Sequence, residues 1–244
     1  DDDLLHPQFL EILIKCFELI KNNRNIIAFY SEYFISNKYN NHFNNKEDIN
    51  INKLIFNQRN FIDWYFKNPK KIIGCYGLMK TKILKKINGF PKLNKTFSPY
   101  SDDLLPLLLS NHGDICLIKK KLLLLRTHKN SASVQSIDIE AYTSAQLKYM
   151  EIFQKIAVVL KIKKNKNSLY TYLLNKKFLS DNFYVLFRNR KINLIKKILY
   201  YIKLDHKYLS KLNLKHLILY YFFIFFIPFK IITIRLFRII SKIN

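Results

Sequence analysis

The sequence is poor in glycine, cysteine and acid. Four of its 244 residues are glycine and none follows Gly113, so the second half lacks the residue that most often closes helices and tight turns. Cys16, Cys75 and Cys116 are widely spaced, with no Cys-x-x-Cys pair. That excludes a disulfide framework and a thiolate zinc site, and it fits a reducing cytoplasm. No signal peptide is recognisable at the N-terminus. The chain opens on Asp1-Asp2-Asp3 without a methionine, which reads as an interior start.

The shortage of acid leaves a formal charge of +25. Lys, Asn and Ile are over-used everywhere, even in the Asn-rich stretch 37–50, so part of this charge is a compositional bias. Its distribution is more informative. From Thr143 onward there are 21 Lys and Arg against three acids, Glu151, Asp181 and Asp205. Such a concentration implies an anionic partner for the second half, either a membrane or a nucleic acid. With 49% hydrophobic and 24% charged residues the chain is a folded one.

Residues 1–135 alternate helix-like and strand-like signals. Pro7 stands at a first helical turn, followed at helical spacing by Phe9, Leu10, Leu13, Ile14, Phe17 and Ile20. Ile26–Phe34 reads as a strand and Ile35–Asn52 as a polar loop. Leu54–Phe66 reads as a short helix, and Ile72–Tyr76 as a short strand leading to Gly77. Thr81–Asn88 is a helix with Thr81 as N-cap and Gly89 as its stop, and Asp102–Asn111 is another, closed by Gly113. Asp114–Leu125 supplies one or two strands. The alternation predicts an α/β layer architecture, with a sheet that looks incomplete at two or three strand signals. Residues 136–244 change character, with long helical patterns in Glu140–Leu160, Ser168–Phe178, Ile192–Lys203 and His206–Ile227. This second region reads as a basic helical appendage.

Three clusters could carry chemistry. Adjacent aspartates such as Asp1, Asp2 and Asp3 repel unless a cation compensates them, and a divalent metal on a diphosphate would do so; alternatively they are an acidic helix cap ahead of Pro7. Asp102 and Asp103 open a short helix, as caps or as a carboxylate base for an acceptor hydroxyl. Arg126 and His128 follow a strand and suit phosphate contact, or are surface decoration. Trp64, Tyr65 and Tyr76 are candidate sugar-stacking rings, or simply core.

Together these segments resemble family 2 glycosyltransferases of the GT-A fold. Asp2-Asp3 stand ahead of Pro7 as in that family's aspartate motif, whose leading acid would precede Asp1. Ile73–Lys80 with Leu84–Phe90 is similar to its acceptor-side segment, Asn88 replacing the usual first glycine of a Gly-Gly-Phe. Asp102-Asp103 resembles its acidic pair, and Arg126-Thr127-His128-Lys129-Asn130-Ser131-Ala132-Ser133 its closing stretch. The resemblance implies an incomplete GT-A (Rossmann-like) sheet layer in 1–135, with the nucleotide-binding half upstream, so that this stretch alone would be inactive. It implies transfer of a sugar from a nucleotide-sugar donor to a saccharide or lipid-linked acceptor, usually inverting, in surface polysaccharide or glycan synthesis. Asp1, Asp2 and Asp3 would hold Mg²⁺ or Mn²⁺ against the diphosphate. Asp103 would be the base, positioned by Asp102, and Arg126 and His128 would close over the donor phosphates.

In the tail, the apolar run Leu217–Phe229 has thirteen residues, about 20 Å of helix against a hydrocarbon core of roughly 30 Å, and Pro228 interrupts it. Lys230, Arg235, Arg238 and Lys242 then interleave with aliphatics, the pattern of an interfacial basic helix. The expectation is peripheral attachment to the anionic cytoplasmic face of the plasma membrane; no nucleic-acid motif is present. The rival readings are a buried docking helix for the tail and, for the whole chain, a non-enzymatic basic helical module on membrane or RNA.

Overall fold

The computed structural model describes residues 3–20, 22, 25–36, 51–68, 71–94, 98–126, 138–188, 211–222, 224 and 226. Asp1, Asp2, His128, the stretch 37–50, the helical pattern Ile192–Lys203 and the basic end of the tail lie outside them. The chain divides into two compact units, Asp1–Ser136 with Ile152–Leu160, and Ile137–Glu151 with Lys161–Asn244.

Unit 1 is mixed α/β. Its strands are β1 (Leu4–Leu5), β2 (Ile26–Ser36), β3 (Lys53–Phe56), β4 (Gly77–Met79) and β5 (Asp114–Arg126). The two long strands, β2 and β5, pair in parallel at the centre, and β4 adds antiparallel to the free side of β2. Along the other edge of β5 run two short antiparallel partners, β3 against Ile115–Ile118 and β1 against Leu123–Leu124. Ile26, Ile27, Ala28, Phe29 and Tyr30 are all buried, the continuous apolar run expected of a strand covered on both faces. The ladder is irregular where Ser31 pairs Ile118 but Glu32 pairs Lys121, a bulge that lets Lys119 donate its amide to Asn52 O instead.

Helix α1 (Phe9–Leu19) covers this sheet with Phe9, Ile12, Leu13 and Cys16, which pack on Ile26, Phe29, Cys116, Ile118 and Leu122. Fully burying each of these large side chains contributes roughly 1.5–3 kcal/mol. Leu10 and Ile14, which share the helical periodicity, face outward instead, and Phe17 sits at the margin with its ring edge-on to Phe29 at 5.8 Å. The helices α2 (Gln58–Lys67), α3 (Thr81–Lys86) and α4 (Ser101–Ser110) complete the unit up to β5.

Two expected elements differ. Leu54–Phe56 is strand rather than helix, because Asn57 starts the helix afresh: its side chain accepts the amide of Asn60 at 3.0 Å. The short strand lies at Gly77–Met79, not Ile72–Tyr76, since Gly77 is where the chain comes against Tyr30; a Cβ there would stand 2.6 Å from the tyrosine ring. The sheet therefore has five strands among the described residues, where two or three were legible. Thr81 is the first residue of α3 and makes no cap; Lys80 holds that position.

Unit 2 is helical. The first part of α5 (Ile139–Val159), α6 (Lys164–Arg188) and a helical run at 214–222 supply its described elements. Two sets of buried polar groups satisfy one another: Gln146 and Asn182 exchange two amide hydrogen bonds at 2.7 and 2.8 Å, and Ser168 Oγ lies 2.8 Å from His216 Nδ1 while accepting the Asn213 amide. Among the described residues no helix is long and apolar enough to cross a membrane.

Candidate functional site

The site is assembled around a proline. Pro106 lies inside α4 and has no N–H, so the carbonyl of Asp102, four residues earlier, is left without its helical partner. The amide of Gly74 takes that place, donating to Asp102 O at 3.1 Å. Only glycine fits: a Cβ at position 74 would lie 2.3 Å from the Asp102 carbonyl oxygen and 2.9 Å from Pro106 Cδ. This backbone contact sets the next two residues, Cys75 and Tyr76, beside the start of α4.

The Cys75 thiol lies close enough to the Asp102 carboxylate to shift its acidity, and Tyr76 donates its hydroxyl to Oδ2 of Asp3 at 2.9 Å. The other oxygen of Asp3 accepts the amide of Arg126, the last residue of β5, at 3.1 Å. Asp3 is held there because β1 pairs with the end of β5 and His6 donates its amide to Leu122 O. On the far side of the cluster Tyr65 of α2 places its hydroxyl 2.9 Å from Asp103 O and 3.4 Å from Asp103 Oδ1. The aspartates thus gather where β5 ends, next to the C-terminal half of β2. Open α/β sheets bind their ligands at that carboxyl edge.

The carboxylates of the cluster repel one another and are crowded out of water. Loss of hydration raises Asp102 from its ordinary value; the Cys75 thiol opposes this, and the carboxylates of Asp103 and Asp3 reinforce it. Asp102 still presents an exposed surface, so it stands at the rim of the site and is only partly dehydrated. Cys75 is pushed up to about 12, first by burial and then by the charge of Asp102, so its thiol stays protonated. Tyr76 is raised by burial and by its bond to Asp3, and Tyr33 of β2 to about 12 by burial and by Asp103. Tyr100, just before α4, sits at φ 70, a left-handed conformation costly for a bulky residue.

No family model and no curated protein matches the chain.

Of the residues singled out in the sequence, Asp3, Asp102, Asp103 and the backbone of Arg126 come together, whereas Asp1, Asp2 and His128 lie outside the described residues. Trp64 packs against Phe56 and Phe61, ring centroids 5.1 and 5.9 Å away, as part of an aromatic cluster. Tyr65 and Tyr76 reach the site through their hydroxyls. Asn88 has φ 62 and Gly89 φ 76, so both residues of the Asn-Gly pair take the left-handed region; asparagine is among the few residues other than glycine that do so readily. The roles of Cys75 and Gly74 were not read from the sequence. The signal for Gly74 was there, in a proline placed four residues after Asp102.

Proposed function

We propose that the aspartate cluster of unit 1 is the acceptor side, and part of the metal side, of a GT-A, family 2-type glycosyl-transfer site. The observation that carries this reading is the meeting of Asp3 with Asp102 and Asp103 through the Cys75–Tyr76 turn, at the carboxyl edge of a mixed sheet. Such transfer requires a metal-held diphosphate and a base on opposite sides of one anomeric carbon. Asp103, held by Tyr65, takes the proton of a saccharide or lipid-linked acceptor hydroxyl as its oxygen bonds to the anomeric carbon. The bond from that carbon to the donor diphosphate breaks in the same step, which gives inversion. Asp102 positions the acceptor and Asp103.

Mg²⁺ or Mn²⁺ fits the donor chemistry of Asp3, whose oxygens each accept one hydrogen bond among the described residues and have further lone pairs to offer. No group of three metal-ligating side chains occurs among the described residues. Magnesium sites on phosphates commonly use one or two carboxylates plus the phosphates themselves, and Asp1 and Asp2 adjoin Asp3. The ion would neutralise charge on the departing diphosphate. Arg126 and His128 are assigned to the phosphates.

The reading also places the chain on an anionic membrane surface, at the cytoplasmic face. Leu214, Ile218, Tyr221 and Phe222 are exposed on one face of the 214–222 run, within a region rich in Lys and Arg.

The test is nucleoside diphosphate release from a panel of nucleotide sugars by the product of the complete reading frame that contains this sequence. Asp103→Asn should lower the rate by about 10²-fold or more while leaving donor binding intact. No release with any donor, or a variant that keeps above about a tenth of the rate, would overturn the proposal.

A further inference from the structure

At the opposite ends of β2 and β5 from the aspartates lies a concavity of about 800 Å³ in unit 1. Its floor is Ile27 and Gly113, and glycine is required there because a Cβ would come within 2.5 Å of Asn25 O. Its walls carry Arg59, Lys80, Lys82 and His112 against one acid, Asp114. These groups rise from pinned backbone. Lys80 donates its amide to Ile27 O, Asp114 its amide to Asn25 O, and the Arg59 Nε donates to Leu160 O at 2.8 Å, which fixes the plane of the guanidinium.

Arg59, Lys80 and Lys82 with a single carboxylate make the lining predominantly basic, which suits a multiply charged anion. Among the described lining residues the only aromatic ring is the His112 imidazole, so a ligand here is read by its charge and hydrogen bonds and not by stacking. Burial and the charge of Lys86 hold His112 below its ordinary value, which makes it a neutral donor in company with the lysines. Arginine and lysine around a concavity of this size suit phosphate oxygens. We infer that this basic groove is a binding site for a phosphate-bearing ligand, a mono- or diphosphate, at the amino edge of the sheet. The site shares no residue with the aspartate cluster and stands whether or not that cluster transfers sugars.

Inorganic pyrophosphate is the probe, titrated calorimetrically into the whole chain at physiological salt. Lys82→Glu should weaken binding about tenfold or more, since it turns an attraction at close range into a repulsion. Lys85→Glu makes the same change of charge on an exposed position of the same helix outside the groove, and should leave binding within about twofold. In the unaltered protein the ring resonances of His112 should shift on saturation. Displacement of pyrophosphate by vesicles containing phosphatidic acid assigns a lipid phosphate, and its persistence assigns a free phosphorylated compound; both support the site. Absence of pyrophosphate binding, or equal losses in the two variants, would overturn it, because the attraction would then be only the diffuse pull of a chain of charge +25.

Discussion

Tyr76 donates its hydroxyl to Asp3 at 2.9 Å, across 73 positions of sequence. Its neighbour Cys75 sets its thiol beside the Asp102 carboxylate, and Gly74 before it bonds the Asp102 carbonyl. Three consecutive residues therefore tie the start of the sheet to the start of α4, and the spacing between the two groups of carboxylates depends on them.

Removing the hydroxyl tests that dependence. Tyr76→Phe should leave the fold intact, at a cost near 1 kcal/mol for a half-exposed bond to a carboxylate. On the proposed mechanism it should also raise the metal concentration for half-maximal transfer about five- to tenfold, because Asp3 loses one of its two fixed orientations. An unchanged metal titration would remove Tyr76 from the site.

Gly74→Ala should be among the most damaging small changes in unit 1. The new methyl meets backbone at 2.3 Å, and neither the carbonyl nor Pro106 can rotate away, so a loss of about 1–3 kcal/mol is expected in urea unfolding. Gly89→Ala is the comparison: φ is 76 but nothing lies within 4 Å of the added carbon, so only the left-handed backbone is penalised, by roughly 1–2 kcal/mol. Transfer activity should fall with the first variant far more than with the second.

The long elements were legible because their patterns are strong. The helix opening at Ser101-Asp102-Asp103 and the strand beginning at Asp114 both fall within a residue of their expected starts. The strand at Lys53–Phe56 was merged with α2 because its apolar residues run straight into the helical pattern and only Asn57 divides them. β1 has two residues, too few for any periodicity, and its pairing with Leu123–Leu124 is decided entirely by tertiary contact. For the same reason the bond from Tyr76 to distant Asp3, and the approach of Cys75 to Asp102, had no local signature.

Acidity provides a further check. The folded protein raises Asp102 above its unfolded value, so below the unfolded value both states are protonated and there is no penalty. As pH rises through the window between the two values, the folded state is penalised, and the penalty persists at neutral pH. Asp102→Asn should therefore stabilise the protein slightly at pH 7, with the gain vanishing as the pH falls towards 4. Because the carboxylate is at an exposed rim, the gain should stay below the ~2–4 °C in Tm that 1 kcal/mol produces in a chain of this length. A larger gain at low pH than at neutral pH would contradict the assigned sign.

For the membrane proposal, Leu214→Ser, Ile218→Ser and Phe222→Ser combined should weaken sedimentation with anionic vesicles at least about tenfold, since each apolar side chain contributes on the order of 1.5–3 kcal/mol when buried. High salt should release the unaltered chain only partly, because screening acts on the lysines and arginines and not on the apolar face. Unchanged sedimentation of the triple variant would show that this face does not enter the bilayer.

The two-residue length of β1 bears on how the proposed site responds to a ligand. Asp3 is anchored by the briefest pairing in the sheet, while Asp102 and Asp103 ride on a helix whose Leu104, Leu105, Leu107 and Leu109 are wholly buried. Strand ends of that kind open locally at a small fraction of the global unfolding free energy. One side of the aspartate cluster is therefore stiff and the other compliant, and a ligand bound by both would slow the amide hydrogen exchange of Leu5 and His6 while leaving that of α4 as it was.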